Sequence, residues 1–189
     1  MQNIVIVGAG PVGLFTALLL EQHGISVDLY ERWPTFYPLP RACGVDHEII
    51  RQMQGLGLMD ELEPLLDPVM GPGKNYEFQD KNFETLLKID WNRPGASGWA
   101  QMNMFYQPDF EAMMLRKLES SPRVKIYHGH ELVALAQCED HVAIEFIDPG
   151  NPQKRTAVKA RYVIGADGAR SRVRDLLGIN HIDLGFAYD

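Results

Sequence analysis

Cysteine is scarce in this sequence. Cys43 and Cys138 are the only two, they lie far apart, and neither sits in a CxxC or a Cys/His metal spacing. No disulfide framework or zinc site is encoded, so two free thiols in a reducing compartment is the plain reading. Clusters of positive charge are missing as well. The formal net charge is −7 and no run of Lys and Arg stands out, which argues against a nucleic-acid or anionic-membrane partner. The first basic residue after the start is Arg32. The apolar stretches 4–7 and 14–20 therefore lack the charged flank of a signal peptide, and glycines and a proline keep them short of the ~20 apolar residues of a membrane helix. These absences lead to the expectation of a cytoplasmic protein with no membrane segment and nothing to cleave. No internal repeat, GKS/T phosphate loop or Ser/His/Asp signature occurs. The apolar fraction, 46%, is ordinary for a globular chain, and 189 residues suit one domain or one domain plus part of another.

The first thirty-odd residues carry the clearest pattern. Ile4-Val5-Ile6-Val7 is a short, continuous, β-branched run, suited to a strand covered on both faces in a parallel sheet. Gly8-Ala9-Gly10-Pro11-Val12-Gly13 follows directly. A helical stretch through Leu14, Ala17, Leu18 and Glu21 ends at His23-Gly24, and Val27–Tyr30 reads as a second strand. This is a strand–GxGxxG–helix–strand unit. In such a unit the first glycine makes the tight turn, the second lets backbone approach a pyrophosphate, and the third lets the helix pack closely on the sheet. The pyrophosphate rests on free N–H groups at the positive helix end, and Pro11 costs little there. Glu31 stands near the ~20-residue offset of the acid that accepts from ribose hydroxyls. A carboxylate there repels a 2′-phosphate, so FAD or NAD is favoured over NADP at this site.

The remainder alternates less regularly. His47–Leu56 looks helical, Tyr76–Phe78 and Phe83–Ile89 read as strands around the polar turn 80–82, and a helix is expected over about Asp109–Glu119. Val124–Tyr127 is a third parallel strand. Segments 132–136, 141–147 and 156–159 read as an antiparallel meander, and Tyr162–Ile164 as a separate short buried strand. That strand runs into Gly165-Ala166-Asp167-Gly168, with a helix starting near Ser171. Ligands in open parallel sheets bind at the carboxyl ends of the strands, so both glycine turns are expected to face one ligand. His128 and His130 alternate on an expected strand and are read as structural or exposed rather than as metal ligands. Cys43 is read as a small buried thiol. Asp167 suits a helix cap as well as a ligand role. No metal site is assigned.

Three elements together resemble the FAD-dependent aromatic hydroxylases of the para-hydroxybenzoate hydroxylase type, the class A flavoprotein monooxygenases. They are the 8–13 fingerprint with Glu31-Arg32, then Pro40-Arg41-Ala42 with Gly44 and Asp46, then the run 165–174, which looks like the family's DG motif. Within that family, residues 37–46 and Tyr106-Gln107-Pro108 look closest to 3-(3-hydroxyphenyl)propionate hydroxylases. The resemblance implies an α/β fold. It would be a Rossmann-like FAD-binding domain with a parallel sheet, an antiparallel β-meander and the start of a substrate-domain sheet. The implied layout is 1–75 and 106–189 for the FAD-binding domain and 76–105 for the start of the substrate-covering sheet.

The resemblance further implies that Gly8, Ala9, Gly10, Pro11, Val12 and Gly13 hold the FAD pyrophosphate. Glu31 and Arg32 would serve the adenosine, Arg41 and Gln107 the ribityl–pyrophosphate part, backbone near Leu132 the adenine, and Asp167 the flavin side. It implies NADH or NADPH as reductant, oxygen and a phenolic small molecule as substrates, a flavin hydroperoxide as the hydroxylating species, and a homodimer at full length. No acid–base pair is named as catalytic, because the chemistry belongs to the flavin. The family's further Gly-Asp…Ala-His motif is not found before Asp189, so the sequence is expected to be the N-terminal part of a longer protein. The competing expectations are a reductase, epoxidase or halogenase of the same fold, or a truncated, non-catalytic FAD-binding remnant.

Overall fold

A computed structural model describes residues 2–35, 39–71, 75–182 and 184–185. Its elements run β1 (Gln2–Val7), α1 (Pro11–Gln22), β2 (Val27–Tyr30), β3 (Gly44–Asp46), α2 (His47–Gly55), α3 (Met59–Leu62), a 3-10 turn (Glu63–Leu65), β4 (Leu66–Pro68), β5 (Asn75–Gln79), β6 (Thr85–Asp90), β7 (Met102–Phe105), α4 (Gln107–Glu119), β8 (Val124–Tyr127), β9 (Glu131–Gln137), β10 (Val142–Asp148), β11 (Asn151–Gly165) and α5 (Arg172–Leu176). Two compact units result, Met1–Tyr37 with Met114–Asp189, and Pro38–Met113. Tyr37 and Pro38 of the motif region lie outside the described residues, as do 186–189. No helix among the described residues is long and apolar enough to cross a membrane.

The first unit is built on a six-stranded sheet of order β8-β2-β1-β11-β10-β9. Strands β8, β2, β1 and β11 are parallel, and β11, β10 and β9 form the antiparallel meander. Both faces of β1 and β2 are covered, which is why residues 4–7 read as an unbroken apolar run and β2 is apolar apart from Asp28. α1 packs against both strands and buries Leu14, Ala17 and Leu18. On the other face Val5, Val7, Tyr30, Leu132, Ile144, Phe146, Ala160 and Val173 form one core cluster. The Tyr30 ring is stacked between Tyr127 and Phe146, at centroid distances of 4.7 and 4.2 Å. Burial, with the nearby Asp28 and Tyr127, pushes the Tyr30 phenol well above its ordinary pKa.

Three sequence expectations change here. The meander strand 156–159 and the buried strand 162–164 are one continuous strand, β11. Its first part pairs antiparallel with β10 and its last part pairs parallel with β1, with both pairings meeting at Ala160. Tyr162, expected to be buried, is half exposed. His128 and His130 do not alternate on a strand, because β8 stops at Tyr127 and Gly129 takes φ +67°. His130 instead packs its ring edge-on to Tyr30 and Tyr127.

The second unit holds a three-stranded antiparallel sheet, β3-β7-β4, and the β5–β6 hairpin. α2 begins where Asp46 caps it, its Oδ1 accepting from the Glu48 and Ile49 N–H groups at 3.1 and 3.0 Å. The hairpin turns where Asp80 Oδ1 accepts from the Asn82 and Glu84 N–H groups. That turn holds Phe83 at φ +66° and delays β6 until Thr85. The hairpin leaves Tyr76, Phe78, Phe83, Leu86 and Leu87 exposed. Cys43, expected to be buried, is exposed as well, and it lines an open cleft of the second unit with Pro40, Pro64 and Tyr106.

Candidate dinucleotide-binding site

In the first unit the carboxyl ends of four neighbouring parallel strands, β8, β2, β1 and β11, lie side by side. Each is followed by a segment singled out from the sequence. Backbone hydrogen bonds lock these segments together. The Gly8 N–H donates to Tyr30 O at 2.8 Å, Ala166 N–H to Val7 O at 2.8 Å, Glu31 N–H to Tyr127 O at 2.9 Å and His130 N–H to Glu31 O at 2.8 Å. The two glycine junctions, 8–13 and 165–168, are thus adjacent, as Rossmann-type crevice geometry requires.

The three fingerprint glycines differ in what surrounds them. A Cβ on Gly8, at φ +105°, would stand 2.4 Å from Ala166 O. A Cβ on Gly13 would stand 1.9 Å from Gly8 O. Both glycines are demanded by the chain's own packing. Gly10 is not. Its φ of −75° suits any residue, and a Cβ there would meet no atom within 4 Å. The space in front of Gly10 is open, and it faces the start of α1. No side chain caps that helix end, no acidic residue occupies its first turn, and Pro11 sits in it. Free N–H groups of a helix start, with open approach, are the donor set a pyrophosphate takes. Val12, 67% exposed, flanks this opening.

Glu31 reaches back over the loop. Its Oε2 accepts from the Ala9 N–H at 2.8 Å and its Oε1 from the Trp33 N–H at 3.0 Å. The carboxylate is held at the end of β2, beside the glycine turn. Arg32 places its guanidinium over the Trp33 ring, 5.0 Å from the centroid. Leu132 is only 4% exposed and belongs to the core cluster, so only backbone near it is available to a ligand.

Asp167 ties down the second junction. Its Oδ1 accepts from Ser171 Oγ at 2.5 Å, and its Oδ2 accepts from the Arg172 and Val173 N–H groups at 2.6 and 3.0 Å. Ser171 in turn accepts from the Arg174 N–H at 3.1 Å. Asp167 is therefore a helix cap that fixes the 165–168 turn from behind. Asp167→Ala is expected to cost about 1 kcal/mol, the usual loss on removing a cap, read as a lower midpoint in urea unfolding at unchanged slope. An unchanged midpoint would show that Ser171 alone suffices.

Arg41 and Gln107 belong to the second unit. Gln107 is 3% exposed, and its Oε1 accepts from the N–H groups of Arg41 and Ala42, both at 2.7 Å. The Arg41 loop is thereby tied to the start of α4. The buried carboxyl group of Glu111, also 3% exposed, accepts from Gln107 Nε2 at 2.6 Å. Glu111 was not singled out in the sequence. Its spacing of i+4 from Gln107 on a helix was the available signal.

Comparison with known proteins bears on this geometry. A family model described as "FAD binding domain" matches residues 1–185. The chain is 35% identical over 185 residues to a probable NADH-specific resorcinol 4-hydroxylase of Rhodococcus jostii, covering 97% of this chain and 34% of that protein. It is 35% identical over 179 residues to a 3-(3-hydroxy-phenyl)propionate/3-hydroxycinnamic acid hydroxylase of Mycolicibacterium smegmatis, covering 94% of this chain and 30% of that protein. Among solved structures, the flavin-dependent monooxygenase PieE in complex with FAD and substrate superposes with a TM-score of 0.79 at 28% identity, over 94% of this chain and 32% of that one. The p-nitrophenol 4-monooxygenase PnpA of Pseudomonas putida gives 0.78 at 27% identity, over 94% of this chain and 44% of that one. The chain thus spans about a third of the length of the curated relatives it matches.

Proposed function

The chain belongs to the FAD-binding-domain family, and from that membership we propose that it is the FAD-holding part of a cytoplasmic NAD(P)H-dependent monooxygenase that hydroxylates a phenolic ring. The observation that carries the reading is the contrast among the three glycines. Gly8 and Gly13 are needed by the protein itself, whereas Gly10 leaves room at an uncapped helix start for something the chain does not contain. The matched family and the FAD complex of a similar protein support FAD as its occupant. The relatives named as resorcinol and 3-(3-hydroxy-phenyl)propionate hydroxylases support a phenolic substrate class.

The residues of the chain would then act as follows. N–H groups at the start of α1 receive the pyrophosphate, helped by the positive end of the helix. Glu31 stays on the Ala9 N–H with one oxygen while its carboxylate accepts from a ribose hydroxyl. Arg32 lies along the adenosine, and backbone near Leu132 meets the adenine. Asp167 shapes the turn beside the flavin through the helix it caps. Arg41, whose backbone N–H is held by Gln107, supplies a cation for the ribityl–pyrophosphate part. The flavin, when bound, supplies the redox chemistry, taking a hydride from NADH or NADPH and activating oxygen for transfer to the ring. Residues 1–75 and 106–189 are assigned to holding FAD, and 76–105 to the start of the sheet that covers the substrate. The exposed aromatic and aliphatic side chains of the β5–β6 hairpin favour that assignment.

Two measurements test this. The purified 189-residue chain should take up one FAD, read by quenching of flavin fluorescence, and absence of uptake would overturn the reading. Gly10→Ala should then weaken that uptake about tenfold or more, equivalent to ~1.4 kcal/mol, while changing unfolding stability by under ~1 kcal/mol. Equal losses of stability and affinity would mean that Gly10 is a packing glycine after all. The hydroxylase step is tested on the complete reading frame, by oxygen-dependent NADH or NADPH consumption with a phenolic acid and identification of a ring-hydroxylated product.

A further inference from the structure

The carboxamide of Gln107 is engaged at both ends inside the second unit. One end accepts from the Arg41 and Ala42 N–H groups, and the other donates to Glu111. We propose that Glu111 is a positioning residue for cofactor binding, setting the direction of the Gln107 amide and through it the place of Arg41. The cofactor part of this proposal rests on the reading that Arg41 meets FAD.

The argument is one of donors and acceptors. A carboxamide has an acceptor end and a donor end of nearly equal shape, so packing alone does not choose between its two orientations. In the orientation present, both loop N–H groups meet an acceptor and the Glu111 oxygen meets a donor. Turned by half a revolution, the amide would aim its NH2 at two further N–H donors and its oxygen at the Glu111 oxygen. The buried Gln107–Glu111 contact would then set two acceptors against each other and the loop N–H groups would lose their acceptor, and an unsatisfied buried polar group costs about a kilocalorie or more. As a carboxylate, Glu111 accepts from Nε2, so it pins the donor end and leaves the Gln107 Oε1 for the loop. Gln107 and Glu111 are each 3% exposed, so water does not easily substitute. The loop gains two hydrogen bonds at 2.7 Å to a rigid helix just where it carries Arg41. A preorganised Arg41 spends less conformational entropy when a ligand arrives.

The test uses the 189-residue chain and three readouts. These are hydrogen exchange of the Arg41 and Ala42 amides, trypsin cleavage after Arg41, and FAD titration. Glu111→Leu should speed exchange and cleavage about tenfold and weaken FAD binding by a similar factor. Gln107→Glu alone should do the same, because two acceptors then face each other. The decisive variant is the reciprocal exchange, Gln107→Glu with Glu111→Gln. It restores an acceptor to the loop and a donor–acceptor pair within the helix, so all three readouts should return close to wild type. A merely structural role for position 111 predicts no such rescue. Unchanged exchange in Glu111→Leu, or failure of the double variant to recover, overturns the relay. Loosened exchange with unchanged FAD affinity overturns its cofactor role. Failure of the unaltered chain to take up FAD sinks the proposed function and the cofactor role together, while the exchange data still judge the relay.

Discussion

Gly13→Ala is expected to cost about 3 kcal/mol or more of unfolding stability, at the upper end for overpacking, and to abolish FAD uptake. The added methyl would stand 1.9 Å from the Gly8 carbonyl oxygen and 3.5 Å from the Ala166 Cβ. The near atom is backbone, so no rotamer change relieves the clash. Gly8 cannot retreat. Its N–H is bonded to Tyr30 O, and the Ala166 carbonyl already occupies the space its own Cβ would need. α1 must therefore lift from β1, exposing part of the surface that Leu14, Ala17 and Leu18 bury. Alanine would improve helix propensity by up to ~1 kcal/mol relative to glycine, but a contact more than an ångström inside van der Waals range outweighs that gain. Circular-dichroism melting and FAD titration on the same preparation check the prediction. A Gly13→Ala chain that melts like wild type would show that the helix tolerates a larger separation from the sheet. Beside the stability-neutral outcome expected for Gly10→Ala, the pair separates a glycine kept for packing from one kept for a ligand.

The same contrast shows how much was legible in the sequence. The motif placed all three glycines at the right turn, because strand, glycine turn, helix and Glu31 constrain one another within thirty residues. It assigned Gly8 and Gly13 to the chain's own packing and Gly10 to the approach of a ligand, but could not say which atom would stand in the way of a side chain at Gly8. That depends on Ala166, more than 150 residues downstream. Local chemistry was read well where it is local, as with Ser171 and Asp167 at the start of α5. It failed where a strand changes partner. In β11 the polar residues Lys159 and Arg161 flank Ala160 and look like a break between two strands, yet the backbone continues and exchanges an antiparallel neighbour for a parallel one there. The three-residue strands β3 and β4 carry too few residues for any period to show. Gln107 was singled out from its resemblance, but its buried acid was not. A helix pair with one polar side chain pointing at a distant loop has no signature beyond i+4 spacing.

Asp28→Val is expected to raise stability at neutral pH by about 2 kcal/mol, within the range for removing an unsatisfied polar group from a core. Asp28 sits in the middle of β2, between Val5 of β1 and Lys125 of β8. It is 6% exposed, and its Oδ2 finds no hydrogen-bond partner among the described residues. Burial pushes its pKa above the ordinary carboxylate value, and the charge of Lys125 only partly offsets this. The sign follows by linkage. The folded state holds the Asp28 proton more tightly than the unfolded chain, so the stability associated with that proton is fully present below the unfolded pKa. It is lost as pH rises through the folded value. Above that value the wild-type strand carries the cost of a poorly solvated charge. Asp28→Asn, which mimics the protonated acid, should match wild type near the unfolded pKa and become more stable than it as pH rises. Urea unfolding of the three proteins from below the unfolded carboxylate pKa up to neutral pH checks both claims. A stability difference between Asn and Asp that does not grow with pH would mean that the carboxylate is solvated or paired in solution. Valine fits the site for a second reason. It is β-branched, and the same face of β1 already presents Val5 and Val7 to the core. The gain should leave FAD uptake unchanged, because Asp28 lies two residues before the carboxyl end of β2, where Glu31 and the glycine turn meet.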